Sequence, residues 1–211
     1  MNQFTLVGNV ACDGQQRFTT EGKPIGEYFL EDQEGNPYKV VLFGKAAEGI
    51  AQLETGQGVC VTGEIKVHGK EHGYATEFIG SSHSWLGALV DNTVIAVASA
   101  AGNVGRDPDI RYFESGSVLA TWSMATRDRM GKTQWINCEA WSKTAETVAN
   151  YVRKGSYIAA KGRLKWDSWK DRQSGETRRK LVLNVESFSF GPRGESNGAQ
   201  ANEGEYADMA F

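Results

Sequence analysis

Five tryptophans lie among basic residues in the second half of the chain, and together these residue types suit one kind of ligand. Residues 91–190 hold sixteen Lys and Arg against eleven Asp and Glu, and they contain Trp122, Trp135, Trp141, Trp166 and Trp169. Flat aromatic rings stack on unpaired bases at about 1–3 kcal/mol for each base, and basic side chains attract phosphates. The combination predicts a groove for single-stranded nucleic acid.

Strand spacing separates the tryptophans that can share a surface from those that cannot. Side chains two residues apart on a strand point to the same face, so Trp135 and Trp141, six apart, would share one. Trp166 and Trp169 are three apart and would point to opposite faces. This favours Trp169 for stacking and leaves Trp166 equally suited to stacking or to a core position. Trp122 is predicted to be core because it alternates with small and apolar residues along its strand.

The overall charge of −3 conceals three segments of different sign. Residues 1–90 hold six Lys and Arg against eleven Asp and Glu, a net charge of −5. Residues 91–190 carry +5, and residues 191–211, with one basic residue against four acidic ones, carry −3. Such asymmetry points to nucleic-acid binding and to an interacting tail. The same boundaries divide the chain into two predicted domains, 1–90 and 91–190, and a tail, 191–211.

Other functional classes have little support in the sequence. The chain has no nucleophile with a neighbouring base and no phosphate-loop lysine, so we expect neither an enzyme nor a cofactor. His68 and His72 flank glycines in a predicted hairpin tip, which argues against a metal site. The sequence shows no signal peptide and no apolar stretch near twenty residues. We therefore expect a soluble cytoplasmic protein, associated with the nucleoid, that binds no membrane.

The elements that would position the aromatic residues occur twice. The segment FGKAAE at 43–48 is echoed by WSKTAE at 141–146, and TGQGVCVTGEIK at 55–66 is echoed by KGSYIAAKGRLK at 154–165. The two pairs lie 98 and 99 residues apart. So constant an offset argues against chance and predicts two copies of one module.

Each copy has the pattern of three strands, one helix and two further strands. In the second copy, Ser142 is the predicted N-cap of a helix whose apolar positions recur at helical spacing, and Gly155 suits a left-handed turn at its end. In the first copy, Ala47, Ile50 and Gly56 repeat this pattern. A single helix after the third strand predicts a mainly β chain of two tandem five-stranded OB-type barrels, each with one helix.

Five short motifs then occur in order over residues 91–190. They are D-P-x-x-R-Y at 107–112, T-x-W at 133–135, K-x-A-E at 143–146, K-G at 154–155 followed by G-R-L at 162–164, and W-x-D at 169–171. In this combination the second half resembles the bacterial single-stranded DNA-binding protein (SSB) family. The first half matches more loosely and resembles a diverged second copy of the same barrel.

The resemblance implies roles for particular residues. Trp135, Trp141 and Trp169 match base-stacking positions of the family, with Trp141 standing where phenylalanine is usual. Phosphate contacts would come from Arg111, Lys143, Lys154, Lys165 and Arg178, and from Lys180, which would share a strand face with Arg178. A charged strand edge exposed to solvent is the alternative for the run 178–180. The loop at 127–132 is shorter than the family's and lacks its tryptophan, so we expect a shorter or weaker bound strand.

The end of the chain carries a second signal. From Gly191 the residues are small and polar, a composition typical of disorder, and the chain ends in Asp208, Met209, Ala210 and Phe211. The SSB family has an acidic tail tip closed by Pro-Phe that docks replication and repair proteins. The resemblance therefore implies a docking tip at Asp208, Met209 and Phe211, with affinity reduced because Ala210 replaces proline. The alternative is a tail that only solubilises.

These observations predict a non-enzymatic protein that binds single-stranded DNA irrespective of sequence in replication, recombination and repair. The alternatives are an accessory OB protein that recruits partners and an RNA-binding barrel, because stacking does not distinguish the sugars. The first copy has Pro37 at the position of Trp135 and a charge of −5, which predicts a role in assembly. Since the family assembles four barrels, two per chain predict a homodimer, with a homotetramer as the competing arrangement.

Overall fold

Both halves of the chain are built almost entirely of strands. The computed structural model describes residues 1–68, 76–89, 93–171 and 174–191, so the predicted docking residues Asp208, Met209 and Phe211 lie outside the described residues. The first half contains β1 (Asn2–Phe18), β2 (Pro24–Glu31), β3 (Pro37–Phe43), β4 (Gly58–Val67) and β5 (Thr76–Leu86). The second contains β6 (Ile95–Val104), β7 (Asp109–Tyr112), β8 (Val118–Arg127), β9 (Thr133–Trp141), α1 (Ser142–Tyr151), β10 (Tyr157–Lys170) and β11 (Thr177–Phe190).

Each half closes into a barrel because its last strand pairs parallel to its third long strand. In the first barrel the order β1-β2-β3-β5-β4 returns to β1, and β3 and β5 are the parallel pair. In the second the order β6-β8-β9-β11-β10 returns to β6, with β9 parallel to β11. The short β7 extends the free edge of β8. Two five-stranded barrels of OB type were predicted, and this fold is confirmed.

The connection after the third strand differs between the barrels. In the second barrel it is α1, whereas in the first it is a pair of short 3₁₀ helices, Gly44–Ala47 and Ile50–Gln52. Gly49 separates these two with a φ of 79°, which interrupts a helical path. The single helix predicted for the first barrel is therefore replaced by two 3₁₀ helices.

The start of α1 also departs from the sequence prediction. Trp141, not Ser142, is the N-cap, and Ser142 is the first helical residue with a φ of 50°. The matching residue of the first barrel is Gly44, whose φ is 58°. A left-handed conformation costs a residue with a Cβ roughly 1–2 kcal/mol. The repeat thus retains an unusual backbone turn that glycine adopts freely and serine only with strain.

Alternate apolar side chains of the strands fill the two barrels. Trp122 is buried, as predicted, and packs in the second core with Ala120 and Met124. Its indole Nε1 has no hydrogen-bond partner among the described residues. Trp122 is therefore part of the scaffold and lies away from solvent.

The barrels are joined edge to edge into one eleven-stranded sheet. The first part of β1 pairs antiparallel with β6, from Asn2 opposite Ala100 to Val7 opposite Ile95. The N-terminal amine of Met1 donates a hydrogen bond of 2.9 Å to the Ala101 carbonyl. The two barrels therefore share backbone hydrogen bonds as well as side-chain contacts.

Buried polar side chains reinforce this junction. The Asn2 amide donates to the Ile65 carbonyl and to Thr126 Oγ1, both at 3.2 Å, and its Oδ1 accepts the Ile65 N–H at 2.7 Å. Gln134 Oε1 accepts the Val67 N–H at 3.0 Å. Because these polar groups are buried and satisfied, they favour one relative placement of the barrels.

The loop at 127–132 is also held against the first barrel. Arg129 Nε lies 2.9 Å from Glu64 Oε1 across the junction. Asp128 accepts the backbone N–H groups of Met130 and Lys132 at 3.0 and 2.8 Å, so the turn is tight. This loop is therefore a barrel-to-barrel contact in this chain.

No helix within the described residues is long and apolar enough to span a membrane. Nor do the described side chains include a group of three or more His, Cys, Asp or Glu placed to hold a metal. His68 Nε2 lies 2.7 Å from Glu77 Oε2, and His72 lies outside the described residues.

Candidate nucleic-acid interface

Two of the predicted stacking tryptophans lie on the outer surface of β9. Every second side chain of this strand, beginning with Thr133, points away from the barrel core. Trp135 is 50% exposed and Trp141 is 40% exposed, whereas Ile136, Cys138 and Ala140 between them are buried. As predicted, the two rings share one strand face.

A glycine allows the Trp135 ring to lie against the backbone. A Cβ atom built on Gly105 would lie 2.4 Å from Cζ3 and 2.8 Å from Cη2 of Trp135. Any side chain at Gly105 would therefore push the indole away from the barrel. The residue that follows β6 thus helps to set the position of this ring.

Trp141 is held by two neighbours that sequence reasoning missed. Its ring stacks on Phe113, with centroids 5.9 Å apart and an interplanar angle of 20°. Its Nε1 donates a hydrogen bond of 3.1 Å to Glu139 Oε1. Phe113 directly follows the motif at 107–112, and this adjacency was the one signal that could have identified it. Phe113 is itself exposed, so it extends the aromatic surface beyond Trp141.

A cross-strand row brings one predicted phosphate contact beside Trp141. Arg111 on β7 is opposite Leu119 on β8, which is opposite Trp141 on β9. Arg111 is exposed and lies 3.7 Å from Asp109, a loose surface ion pair. Such pairs are worth about 0–1 kcal/mol, so Asp109 leaves the guanidinium free to contact another anion.

The β10–β11 hairpin continues the same outer face. Lys165, Asp167 and Trp169 are opposite Val182, Lys180 and Arg178, and residues opposite one another in an antiparallel pair share a face. Trp169 is 45% exposed. Because β9 and β11 are parallel, with Asn137 beside Val182, the Trp135 end of β9 lies on the Lys180 side of the hairpin. Arg178 and Lys180 share this face and Arg179 does not, as the alternation predicted.

Trp166 lies elsewhere. It is partly buried between the barrels, where its ring meets Tyr38 edge-on with centroids 5.9 Å apart and an interplanar angle of 68°. Its Nε1 is buried and has no partner among the residues that the structure describes. Near Trp166, β10 turns its even-numbered side chains towards the first barrel. The predicted stacking face is therefore formed by Trp135, Trp141 and Trp169.

Carboxylates already pair with several of the predicted phosphate contacts. Lys165 Nζ lies 2.8 Å from Glu139 and 3.2 Å from Asp167, and Lys180 Nζ lies 3.8 Å from Asp167. Arg178 Nε lies 2.9 Å from Asp171. Burial lowers the pKa of Lys165, but its hydrogen bonds to Glu139 and Asp167 outweigh this and raise the pKa overall. Lys165 is therefore a fixed positive charge in a row of alternating charges.

The other two predicted contacts are in different surroundings. Lys143 lies in the first turn of α1, two residues after Trp141. Lys154 lies in the turn after α1, where its backbone N–H donates to Asp107 Oδ1 at 2.8 Å. Neither lysine forms an ion pair with any residue in the described ranges. Both charges are therefore available to an anion without exchange of a carboxylate.

The first barrel keeps a reduced version of this surface. Arg17, Ile25 and Phe43 form a cross-strand row that matches Arg111, Leu119 and Trp141, and Phe43 is 51% exposed. Lys39, four residues before Phe43 on β3, is paired with Glu77 at 2.9 Å and with Glu27 at 3.5 Å. One exposed ring thus remains in a more acidic setting.

Comparison with known proteins shows which family this chain resembles. The model of the single-strand binding protein family matches residues 1–79 and 93–191. The chain is 48% identical over 98 residues to single-stranded DNA-binding protein 1 of Nostoc sp., covering 46% of this chain and 82% of that one. It is 44% identical over 93 residues to single-stranded DNA-binding protein 1 of Synechocystis sp., covering 42% and 77%.

A solved structure supports the two-barrel fold over nearly the whole length. The crystal structure of the single-stranded DNA-binding protein from Thermus aquaticus superposes with a TM-score of 0.72 and covers 96% of this chain and 97% of that one. The sequence identity is 24%, so this likeness concerns the fold. The matched segments of the family model span both barrels and include the tryptophan face. The chain therefore belongs to the single-strand binding protein family.

Proposed function

We propose that this protein binds single-stranded DNA irrespective of sequence and protects it during replication, recombination and repair in the cytoplasm, at the nucleoid. The observation that carries the proposal is the outer face of the second barrel, where Trp135, Trp141 and Trp169 are exposed beside basic side chains. Membership of the family supports it. The family consists of non-enzymatic DNA-binding proteins, which confirms the expectation that the chain is not an enzyme.

On this face the aromatic rings bind the bases and the basic side chains bind the phosphates. Bases stack on Trp135, Trp141 and Trp169, and no donor or acceptor pattern is needed because every base has a π-face. Phosphates are contacted by Arg111, Lys143, Lys154, Lys165, Arg178 and Lys180. Duplex DNA presents its phosphates but hides its base faces. The surface should therefore prefer single strands.

Competition binding tests this function and its rivals. Intact protein bound to a labelled oligo(dT) is challenged with poly(dT), poly(U) and duplex DNA at one salt concentration. We expect poly(dT) to compete strongly and duplex DNA weakly. Equal competition by poly(U) would support an RNA-binding barrel instead. Absence of binding to any strand would support an accessory protein that recruits partners.

Replacing Asp167 should raise affinity for single strands. Its carboxylate pairs with Lys165 and Lys180, so Asp167→Asn frees the Lys180 amine, leaves Lys165 paired with Glu139 alone and removes a charge that repels phosphate. Because exposed ion pairs are worth about 0–1 kcal/mol, we expect a gain of about twofold to fivefold at low salt, measured by fluorescence anisotropy. The control is Glu21→Gln, which removes an exposed pair with Lys23 in the first barrel. An unchanged or lower affinity of Asp167→Asn would contradict the phosphate role of these lysines.

We further propose that the chain assembles as a homodimer of two-barrel subunits, with the first barrel serving mainly in assembly. The outer face at the β1–β6 junction supports this, because Ile95 and Val97 are exposed there beside Thr5 and Ser99. A dimer buries these side chains and brings four barrels together. Light scattering of the intact protein should give the mass of two chains. The mass of four chains would favour a tetramer built through the second barrels.

The tail is proposed to dock replication and repair proteins. Removal of Met209 to Phe211 should leave affinity for single-stranded DNA nearly unchanged, because it removes no acidic side chain and so hardly alters the competition of the acidic tail for basic surfaces. The same truncation should abolish capture of partner proteins in a pull-down. Full-length protein is the control. An identical set of captured proteins would make the tail a solubility device.

A further inference from the structure

A carboxylate lies buried in the middle of the proposed binding face. Glu139 is on the outer side of β9 between Trp135 and Trp141, where its nearest neighbours along the strand face are Asn137 and Trp141. Its side chain is only 6% exposed. A buried carboxylate costs stability unless it is paired and hydrogen-bonded, and it repels phosphate. Its place within a surface for DNA therefore calls for a specific partner.

The structure shows two partners for Glu139. Its Oε1 accepts the Trp141 indole N–H at 3.1 Å and lies 2.8 Å from Lys165 Nζ. The lysine neutralises the charge of the carboxylate. The carboxylate in turn accepts the hydrogen bond of the Trp141 indole N–H. Phe113 supports the same ring from its face. Trp141 is thus fixed at both its edge and its face.

The first barrel provides an internal comparison without this carboxylate. Val41 stands at the position of Glu139, Phe43 at that of Trp141 and Lys66 at that of Lys165. A phenyl ring has no N–H to satisfy, and the valine is buried. Lys66 is exposed and forms no ion pair with the residues that the structure describes. Glutamate therefore accompanies tryptophan in one barrel, and valine accompanies phenylalanine in the other.

We propose that Glu139 is a positioning residue that holds the Trp141 indole in its base-stacking orientation through the Nε1 hydrogen bond. This inference rests on the proposed binding of single strands by the second barrel. A ring that is already oriented loses less rotational freedom when a base stacks on it, which favours binding. Lys165 contacts the same carboxylate oxygen and neutralises the buried charge.

A double-mutant cycle isolates the hydrogen bond. Affinity for oligo(dT) is measured by anisotropy for the wild-type chain, Glu139→Val, Trp141→Phe and the double variant, which recreates the pair of the first barrel. Glu139→Val also releases Lys165, but this effect on affinity occurs both with Trp141 and with Trp141→Phe, so it cancels when the two affinity ratios are compared. We expect Glu139→Val to lower affinity more when Trp141 is present, with the two affinity ratios differing by about threefold or more, as for side chains in direct contact.

A conservative variant and a stability measurement complete the test. Glu139→Gln loses the charge but keeps an oxygen that can accept the indole N–H, so it should recover most of the affinity lost in Glu139→Val. Thermal unfolding identifies any variant that fails to fold. Equal affinity ratios in the two backgrounds, or glutamine performing no better than valine, would overturn the positioning role. Failure of the wild-type chain to bind oligo(dT) would instead overturn the proposed function.

Discussion

Replacing Trp135 and Trp169 together by alanine should lower the affinity for single-stranded DNA by about 2–6 kcal/mol, because each ring supports roughly 1–3 kcal/mol of stacking on a base. The two rings lie on different strands, β9 and β10, so their effects should be nearly additive. Each is about half exposed, so neither truncation leaves a large hole in a core. Anisotropy of a labelled oligo(dT) at fixed salt measures the loss without depending on tryptophan emission.

The first barrel offers matched controls for this experiment. Trp85 on β5 is 40% exposed and lies outside the proposed face, so Trp85→Ala should leave affinity unchanged. Phe43→Ala removes the ring that matches Trp141 and should cost less than Trp141→Ala, given the acidic setting of the first barrel. If the Trp135 and Trp169 double variant binds as tightly as wild type, the stacking surface lies elsewhere.

Raising the salt concentration should weaken binding steeply. Six phosphate contacts at about 0.7 each predict that log affinity falls with log salt with a slope near 4, roughly a 300-fold loss between 50 and 200 mM. The carboxylates paired with Lys180 and Arg178 are partly exposed, so phosphate can replace Asp167 and Asp171 there, whereas Lys165 also keeps its pair with the buried Glu139. Titration of a labelled oligo(dT) at several salt concentrations gives the slope.

Single lysine variants locate the individual contacts. Lys143→Ala and Lys154→Ala should each lower the slope by about 0.7, because neither amine must first leave a carboxylate. Lys45 matches Lys143 in the repeat and is exposed, so Lys45→Ala is the control and should leave the slope unchanged. A slope that these variants do not alter would remove both lysines from the binding surface.

Local sequence patterns predicted what depends on strand periodicity and on the repeat. The two five-stranded barrels, the shared outer face of Trp135 and Trp141, and the buried position of Trp122 all follow from period-two alternation and from a repeat of about 98 residues. The same rule separated Arg179 from Arg178 and Lys180. These features are set by neighbours within one strand or one hairpin.

The remaining features depend on pairings between distant strands. Trp166 meets Tyr38 only because β1 and β6 bring the barrels together, and Glu139 meets Lys165 only across the parallel β9–β11 pair. Phe113 follows β7 and contacts Trp141, but strand periodicity does not predict which strand β7 pairs with. The φ of 50° at Ser142 reflects the inherited turn rather than serine's preference. Apart from the adjacency of Phe113 to the motif at 107–112, none of these features leaves a local pattern in the sequence.

The sharing of β1 between the barrels has a consequence for synthesis of the chain. Asn2 to Val7 are synthesised well before β6, their partner on one side, which is made only after the whole of the first barrel. Until then the first barrel carries an open strand edge, which can pair with other chains. A cut between the barrels would expose this edge and that of β6 permanently. Because the linker between β5 and β6 keeps the two matching edges in one polypeptide, we expect them to pair with each other in preference to other chains.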